Sequence, residues 1–523
     1  MEVRSLRGEP QYRWYVPPVR RSGCETPARG QPAATSTREV PDLLDTPDAG
    51  VAAIRGGAVR IAGYVAGVAV SVVSSALLLR HLGVVAVGQY VTVLSLVTLA
   101  GGVTEAGLAA IGVRELSTLS QGRAQSFFRG LSGLRLAFVS AGVLFAVAFA
   151  ALSGYSSTLV AGTLLAGTGL VLATVQVSYS LPLVARLRLQ WVTAVEVLRQ
   201  IGTAVAIVAL VLAGAPLLPF WAATIPASIA AAVLGALLIR RSMPLRPAFD
   251  RAIWGALLRR TLPYSMAAAV GVVYFRLAIL IMSHVANSQQ TGYYGASFRI
   301  IEVLFVVPQL LVGSALPIFS RAARDDRERL DYALGRTVDV CLLLGLAVGL
   351  SLVTGATFVI GVVAGAKFAP AIAVLRIQGL ALIATFAGAA LGYALLSLGR
   401  YREVLLINLS ALVLSGTLTG VLASRNGAVG AASATTAVEV LYTGMLAVAV
   451  LRAGIRPQVS IGRMCRAVLA ALLGALALVP ASLPSIVRPT LALGVYCVAL
   501  LALRAVPTEL LEQIPRLRRF LPR

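Results

Sequence analysis

Ionisable side chains stand inside long apolar stretches of this chain, and each needs a physical reason to be there. An arginine near the middle of a bilayer costs about 2.5–3.5 kcal/mol on insertion scales and marks a functional position by default. Arg276 has no acid three or four residues to either side. Its charge can be compensated only by a partner on another helix, with Glu302 the candidate, or by a ligand. Phosphate is the matching ligand chemistry, because the guanidinium fork meets its oxygens with two hydrogen bonds. Arg299 differs, since Glu302 follows three residues on along the same helical face and could neutralise it locally. Both arginines lie roughly 10–14 Å of helix inside the outer ends of their stretches. Together with Arg60, they and Glu302 form the candidate path for a ligand.

Two deeper carboxylates, Glu105 and Glu439, lack a basic neighbour in sequence. Both are candidates for binding a coupling cation or proton. Glu105 has a second reading: beside Gly101, Gly102 and Gly107 it could mark a helix break and cap one half. Glu196 and Arg199 are three residues apart and read as a structural pair. Arg135 and Arg376 lie near enough to stretch ends to snorkel. The four cysteines (Cys24, Cys341, Cys465, Cys497) and two histidines have no metal-ligand spacing. Neither a metal nor any other cofactor is therefore expected. The Arg-rich segments 240–261 and 321–334 contain no phosphate-cradling glycine motif. With outer connections as short as Ser153-Gly154-Tyr155, nothing here builds a membrane glycosyltransferase, and the chain reads as no enzyme.

The elements that must hold these residues follow from composition. The 523 residues are 58% hydrophobic and only 13% charged. Soluble proteins carry about 25% charged residues, which excludes an ordinary soluble enzyme. Fourteen apolar runs, beginning near residues 58, 88, 132, 157, 190, 216, 262, 293, 335, 371, 403, 427, 464 and 486, approach the ~20 residues of a membrane-spanning helix. The alternation of a membrane β-barrel is missing. An all-α polytopic membrane protein is expected. Residues 1–52 are proline-rich, without a secretory signal, and read as a flexible cytosolic tail that is partly a wrongly assigned start.

The net charge of +24 reports topology. Most of the 45 lysines and arginines fall in alternate connections, the pattern of cytoplasmic segments. Only Arg80, Lys367, Arg425 and Arg488 fall on the other side. Five more (Arg135, Arg199, Arg276, Arg299, Arg376) lie within runs. Both termini are expected in the cytoplasm. Nucleic acid is not an expected partner, because the basic residues are interleaved with apolar runs; anionic membrane lipids are.

The chain also repeats itself. Arg80-His81-Leu82-Gly83 with Gly88-Gln89-Tyr90 returns as Ser283-His284-Val285 with Gly292-Tyr293-Tyr294. Leu187-Arg188-Leu189-Gln190 returns as Gly399-Arg400-Tyr401-Arg402. The offsets, 203 or 204 and then 212, carry span n onto span n+6. An even offset preserves orientation, so two six-helix lobes are expected about an axis along the membrane normal. The expected division is an N-lobe over 53–241, a C-lobe over 242–453, an appended helix pair over 454–506 and a basic C-terminus over 507–523.

Several motifs, in order, resemble one known family. They are Leu79-Arg80-His81-Leu82-Gly83, Glu105-Ala106-Gly107-Leu108, Tyr274-Phe275-Arg276-Leu277, Leu316-Pro317, Phe368-Ala369-Pro370-Ala371 and Gly427-Ala428-Val429-Gly430. Over residues 57–450 the chain is similar to the oligosaccharide-lipid flippase branch of the multidrug/oligosaccharidyl-lipid/polysaccharide exporter superfamily. The resemblance implies alternating access that moves undecaprenyl-diphosphate-linked glycans from the inner to the outer leaflet of a bacterial plasma membrane. It implies a cavity lined by spans 1, 2, 7 and 8, and glycosyltransferases and a polysaccharide polymerase as partners. The family often has an acid after Tyr-Phe-Arg, where this chain has Ala278. Lipid II flippases, another branch, typically carry an Arg-Asp pair in the first helix, which is missing here. The rival readings are a cation-coupled multidrug exporter of the same fold and a non-transporting structural membrane protein. The drug exporter would want carboxylates in its lobes, where span 1 offers Ser71, Ser74 and Ser75.

Overall fold

The computed structural model describes residues 49–105, 107–325, 327–476 and 484–506. The expected N-terminal tail falls outside this set, apart from its last few residues, as does the basic C-terminus. The described residues fold into α-helices joined by short turns, with no strand among them. In lipid every backbone N–H and C=O must find a partner within the protein, and a helix supplies these bonds locally.

The first half of the chain comprises α1 (Ala49–Glu105), α2 (Leu108–Leu116), α3 (Gln121–Leu152), α4 (Ser157–Ala185), α5 (Leu189–Leu212), α6 (Leu217–Ala222) and α7 (Thr224–Ile239). The second half comprises α8 (Arg251–Val285), α9 (Ser288–Asp325), α10 (Arg327–Val363), α11 (Ala371–Ser397) and α12 (Tyr401–Arg452). A final pair follows, α13 (Ile461–Ala475) and α14 (Val487–Ala502). Ten helices among the described residues are long and apolar enough to cross a membrane, where the sequence suggested fourteen. Two of the long helices join expected neighbours across a break. Gly83 (φ 75°) interrupts α1 and Gly427 (φ 56°) interrupts α12, both in a left-handed conformation that a side chain disfavours. The final pair, 15 and 16 residues long, falls short of the ~20 needed.

The breaks recur at the expected offsets. Gly83 corresponds to the α8–α9 junction at Ala286–Asn287. There the Asn287 side chain accepts from the Gln290 N–H at 2.8 Å and caps α9. Leu187 (φ 54°), between α4 and α5, corresponds to Gly399 (φ 71°), between α11 and α12.

Packing follows the same division. In the first half α1 lies on α3 and α5, α4 on α3 and α7, and α5 on α7. In the second half α11 sits among α9, α10 and α12, while α12 lies on α8. The halves meet where α1 packs on α8 and α9, and α13 and α14 pair and lie on α10. Many large apolar side chains face outward, such as Leu152 (88% exposed) and Phe145 (71%). A water-soluble surface rarely tolerates such a patch; acyl chains cover it at no loss. This is a multi-pass membrane protein.

Candidate functional site

A cavity of about 560 Å³ lies between the halves. Its walls are α1 on both sides of Gly83, α5, the start of α7, the C-terminal half of α8 and the first half of α9. They include the four spans that the resemblance implied, with α5 and Thr224 of α7 added. Ser71, Ser74 and Ser75 line it from α1, with Tyr90 beyond the break; Arg199, Gln200 and Thr203 line it from α5. Arg276, Arg299 and Glu302 complete the charged part.

Glu302 is shared between the two arginines. One carboxylate oxygen accepts from Arg276 and the other from Arg299 at 3.1 Å. Arg276 is nearly buried, its guanidinium carbon 5.6 Å from the centre of the Phe275 ring and 5.4 Å from that of Phe298. Aromatic faces hold a guanidinium flat and in register. Its Nε is buried without a hydrogen-bond partner, so the fork is incompletely satisfied. Arg299 reaches further out, with 40% of its side chain exposed. From α5, Arg199 pairs with Glu196 at 2.5 Å, as the spacing suggested, yet it also stands in the cavity wall. Among the described lining residues, three are arginines and one, Glu302, is an acid, with Glu196 behind the wall matching Arg199. The side chain of Arg60 lies outside the described residues.

Beside the cavity the halves come into backbone contact between α1 and α9. A Cβ on Gly88 would fall 1.9 Å from the Ser288 carbonyl oxygen, and one on Gly292 2.1 Å from that of Val84. Between α3 and α4, the Tyr155 hydroxyl meets Ser283 Oγ at 2.5 Å and His284 Nδ1 at 3.1 Å. Arg80 donates to the carbonyls of Gly361 and Val362 at the end of α10.

The remaining acids occupy different surroundings from those the sequence suggested. Glu105 is not without a basic partner: it is bonded to Arg135, thirty residues away on α3. Arg135 does not snorkel. It is 1% exposed, with Ser178 as a second partner at 2.9 Å. The helix does break after Glu105, with Gly107 at φ 78° before α2, but no side chain caps α2. Both oppositely charged residues sit at the same end of neighbouring spans, and that shared depth was the signal available. Arg376 likewise keeps a buried Nε without a partner. Glu439 is buried on α12, accepting from Tyr274 at 2.7 Å and Thr385 at 2.8 Å. These three residues border a small void of about 40 Å³, separate from the arginine cavity. No cluster of three or more potential metal ligands occurs among the described residues.

Residues 77–373 match the family model described as polysaccharide biosynthesis protein. No curated protein matches the chain. Among solved structures, the lipid II flippase MurJ in an inward closed conformation is similar with a TM-score of 0.69 and 13% identity, over 84% of this chain and 97% of that one. An inward-facing multidrug resistance MATE family transporter of the MOP superfamily follows with a TM-score of 0.58 and 14% identity, over 74% and 95%. A MOP superfamily transporter from Pyrococcus furiosus, described by the reverse polarity of its binding pocket, gives 0.54 and 15%, over 77% and 95%. These likenesses establish a shared fold.

Proposed function

The chain belongs to the polysaccharide biosynthesis protein family, and from that premise we propose that it is a flippase for undecaprenyl-diphosphate-linked oligosaccharide. It moves the glycan from the inner to the outer leaflet of a bacterial plasma membrane by alternating access, with both termini in the cytoplasm. The observation that carries this reading is the sign of the cavity: Arg276 and Arg299 share one carboxylate, Glu302, which leaves an excess of positive charge, while Arg199 is matched by Glu196. A diphosphate is attracted by such a surface and a cationic drug is repelled. The seryl and threonyl hydroxyls around the arginines offer donors and acceptors to a hydrated glycan.

In this mechanism Arg276 and Arg299 exchange Glu302 for phosphate oxygens, and the contacts at Gly88 and Gly292 part to release the glycan. Glu439 lies outside the cavity and is the candidate for binding a coupling cation, a role that a drug exporter of this fold would share. Glycosyltransferases supply the substrate and a polysaccharide polymerase consumes it. Deletion of the protein should remove a surface polysaccharide and accumulate undecaprenyl-linked intermediate on the inner leaflet, read by leaflet-specific labelling. A deletion that only sensitises cells to cationic dyes would show the drug exporter instead.

A further inference from the structure

A second chamber of about 430 Å³ opens in the first half of the chain, among α1, α2, α4 and α5, toward the end that carries the Arg186–Arg188 connection. Its volume falls within the roughly 300–1,000 Å³ of small-molecule sites. Gln200 borders both chambers. Its amide lies against the bare backbone of Gly67, where a Cβ would stand 1.5 Å from Gln200 Oε1. The Gln200 amide donates to Glu196 at 3.0 Å, and Glu196 in turn holds Arg199 of the first cavity.

The chemistry of the second chamber is unlike that of the first. Among the described residues that line it, Glu196 alone is charged and none is a cation. The chamber offers acceptors instead. Gln176 is 2% exposed, and its Oε1 has no hydrogen-bond partner, while its amide nitrogen reaches Ser180 Oγ at 3.3 Å. A buried acceptor left without a donor costs about 1–3 kcal/mol. A prenyl chain in the chamber would leave it unpaired; a sugar hydroxyl would donate to it, and the valine walls suit the C–H faces of a pyranose.

We propose that this chamber holds the first uncharged sugar of the lipid-linked glycan while its diphosphate occupies the arginine cavity, with Gln200 at the join. The inference rests on the lipid-linked reading above. The covalent order of the substrate fits the arrangement, since that sugar is bonded directly to the diphosphate.

The test titrates the purified full chain in lipid nanodiscs with two probes: undecaprenyl diphosphate and undecaprenyl-diphosphate N-acetylglucosamine. The glycosylated lipid should bind more tightly. Gln176→Leu should weaken it roughly tenfold, the loss of one buried hydrogen bond, and leave undecaprenyl diphosphate unchanged. Val184→Phe fills the same chamber without touching a polar group and should give the same selective loss, which covers a failure of the first variant to fold. Arg299→Ala should weaken both lipids. Equal affinity of the unaltered protein for the two probes would overturn the sugar chamber while leaving the flippase reading intact. Variant losses shared equally by both probes would overturn it too, and would assign the chamber to the prenyl chain. Binding of neither lipid would overturn both readings.

Discussion

Glu302 can satisfy two guanidiniums because its two oxygens are engaged separately, one by Arg276 and one by Arg299. That sharing decides what loss of Arg276 does. A buried pair broken by removing one partner usually leaves an uncompensated charge, at about 3–5 kcal/mol. Here Glu302 keeps Arg299, so Arg276→Ala should leave membrane abundance nearly unchanged while abolishing flipping. Arg276→Lys keeps the charge but not the fork, and should retain part of the activity. Transport and immunoblots on the same membranes separate the outcomes. Recovery of transport in the double variant Arg276→Ala/Glu302→Ala would make Arg276 a structural residue and remove it from the substrate path. Arg135 is the instructive contrast. Its bond to Glu105 joins residues thirty positions apart on different helices, and neighbour spacing along one helix carries no trace of such a pair.

The elements were more legible than their contacts. Apolar runs and the recurrence of Arg80-His81-Leu82-Gly83 located the helices and the repeat, because bilayer thickness and backbone geometry act on local sequence. The place of α5 in the cavity wall was missed although Arg199, Gln200 and Thr203 mark a polar face on it, because Glu196 three residues before Arg199 accounted for that charge within the helix. Close approach sits between these cases. Gly88 and Gly292 stand in matching motifs, and the structure sets each against the partner helix's backbone, where a methyl group has no room. Gly88→Leu should therefore push the start of α9 away and open the cavity on that side. With a single cysteine at Ser75 in an otherwise cysteine-free chain, a membrane-impermeant maleimide added from outside should react several-fold faster in the Gly88→Leu background. An unchanged rate would mean that this contact does not close the cavity.

At the scale of the whole molecule, the connections sort into two groups that touch within themselves. Arg80 meets Gly361, Tyr155 meets Ser283, and Gln290 Oε1 accepts from the Ala428 N–H at 2.9 Å. The other group is formed by Asp331 with Arg456 and Gln458, Arg129 with Ala248, and Gly130 with Trp254. The first set holds the connections poor in basic residues and the second those rich in them, so the charge alternation and the packing divide the chain alike. Arg80 is a basic residue on the poor side whose place has a local cause: it satisfies carbonyls at the end of α10 that the helix leaves open. Packing cannot say which group faces the cytoplasm, since the fold is the same either way up. The basic excess can, because positively charged segments are retained on the cytoplasmic side during insertion. Cysteines placed at Asp250 and Glu328 should react with an impermeant reagent only after the membrane is permeabilised, and one at Ser288 should react in intact cells. Labelling of Ser288→Cys solely from the cytoplasmic side would invert the molecule. The proposed release at Gly88 and Gly292 would then face the inner leaflet.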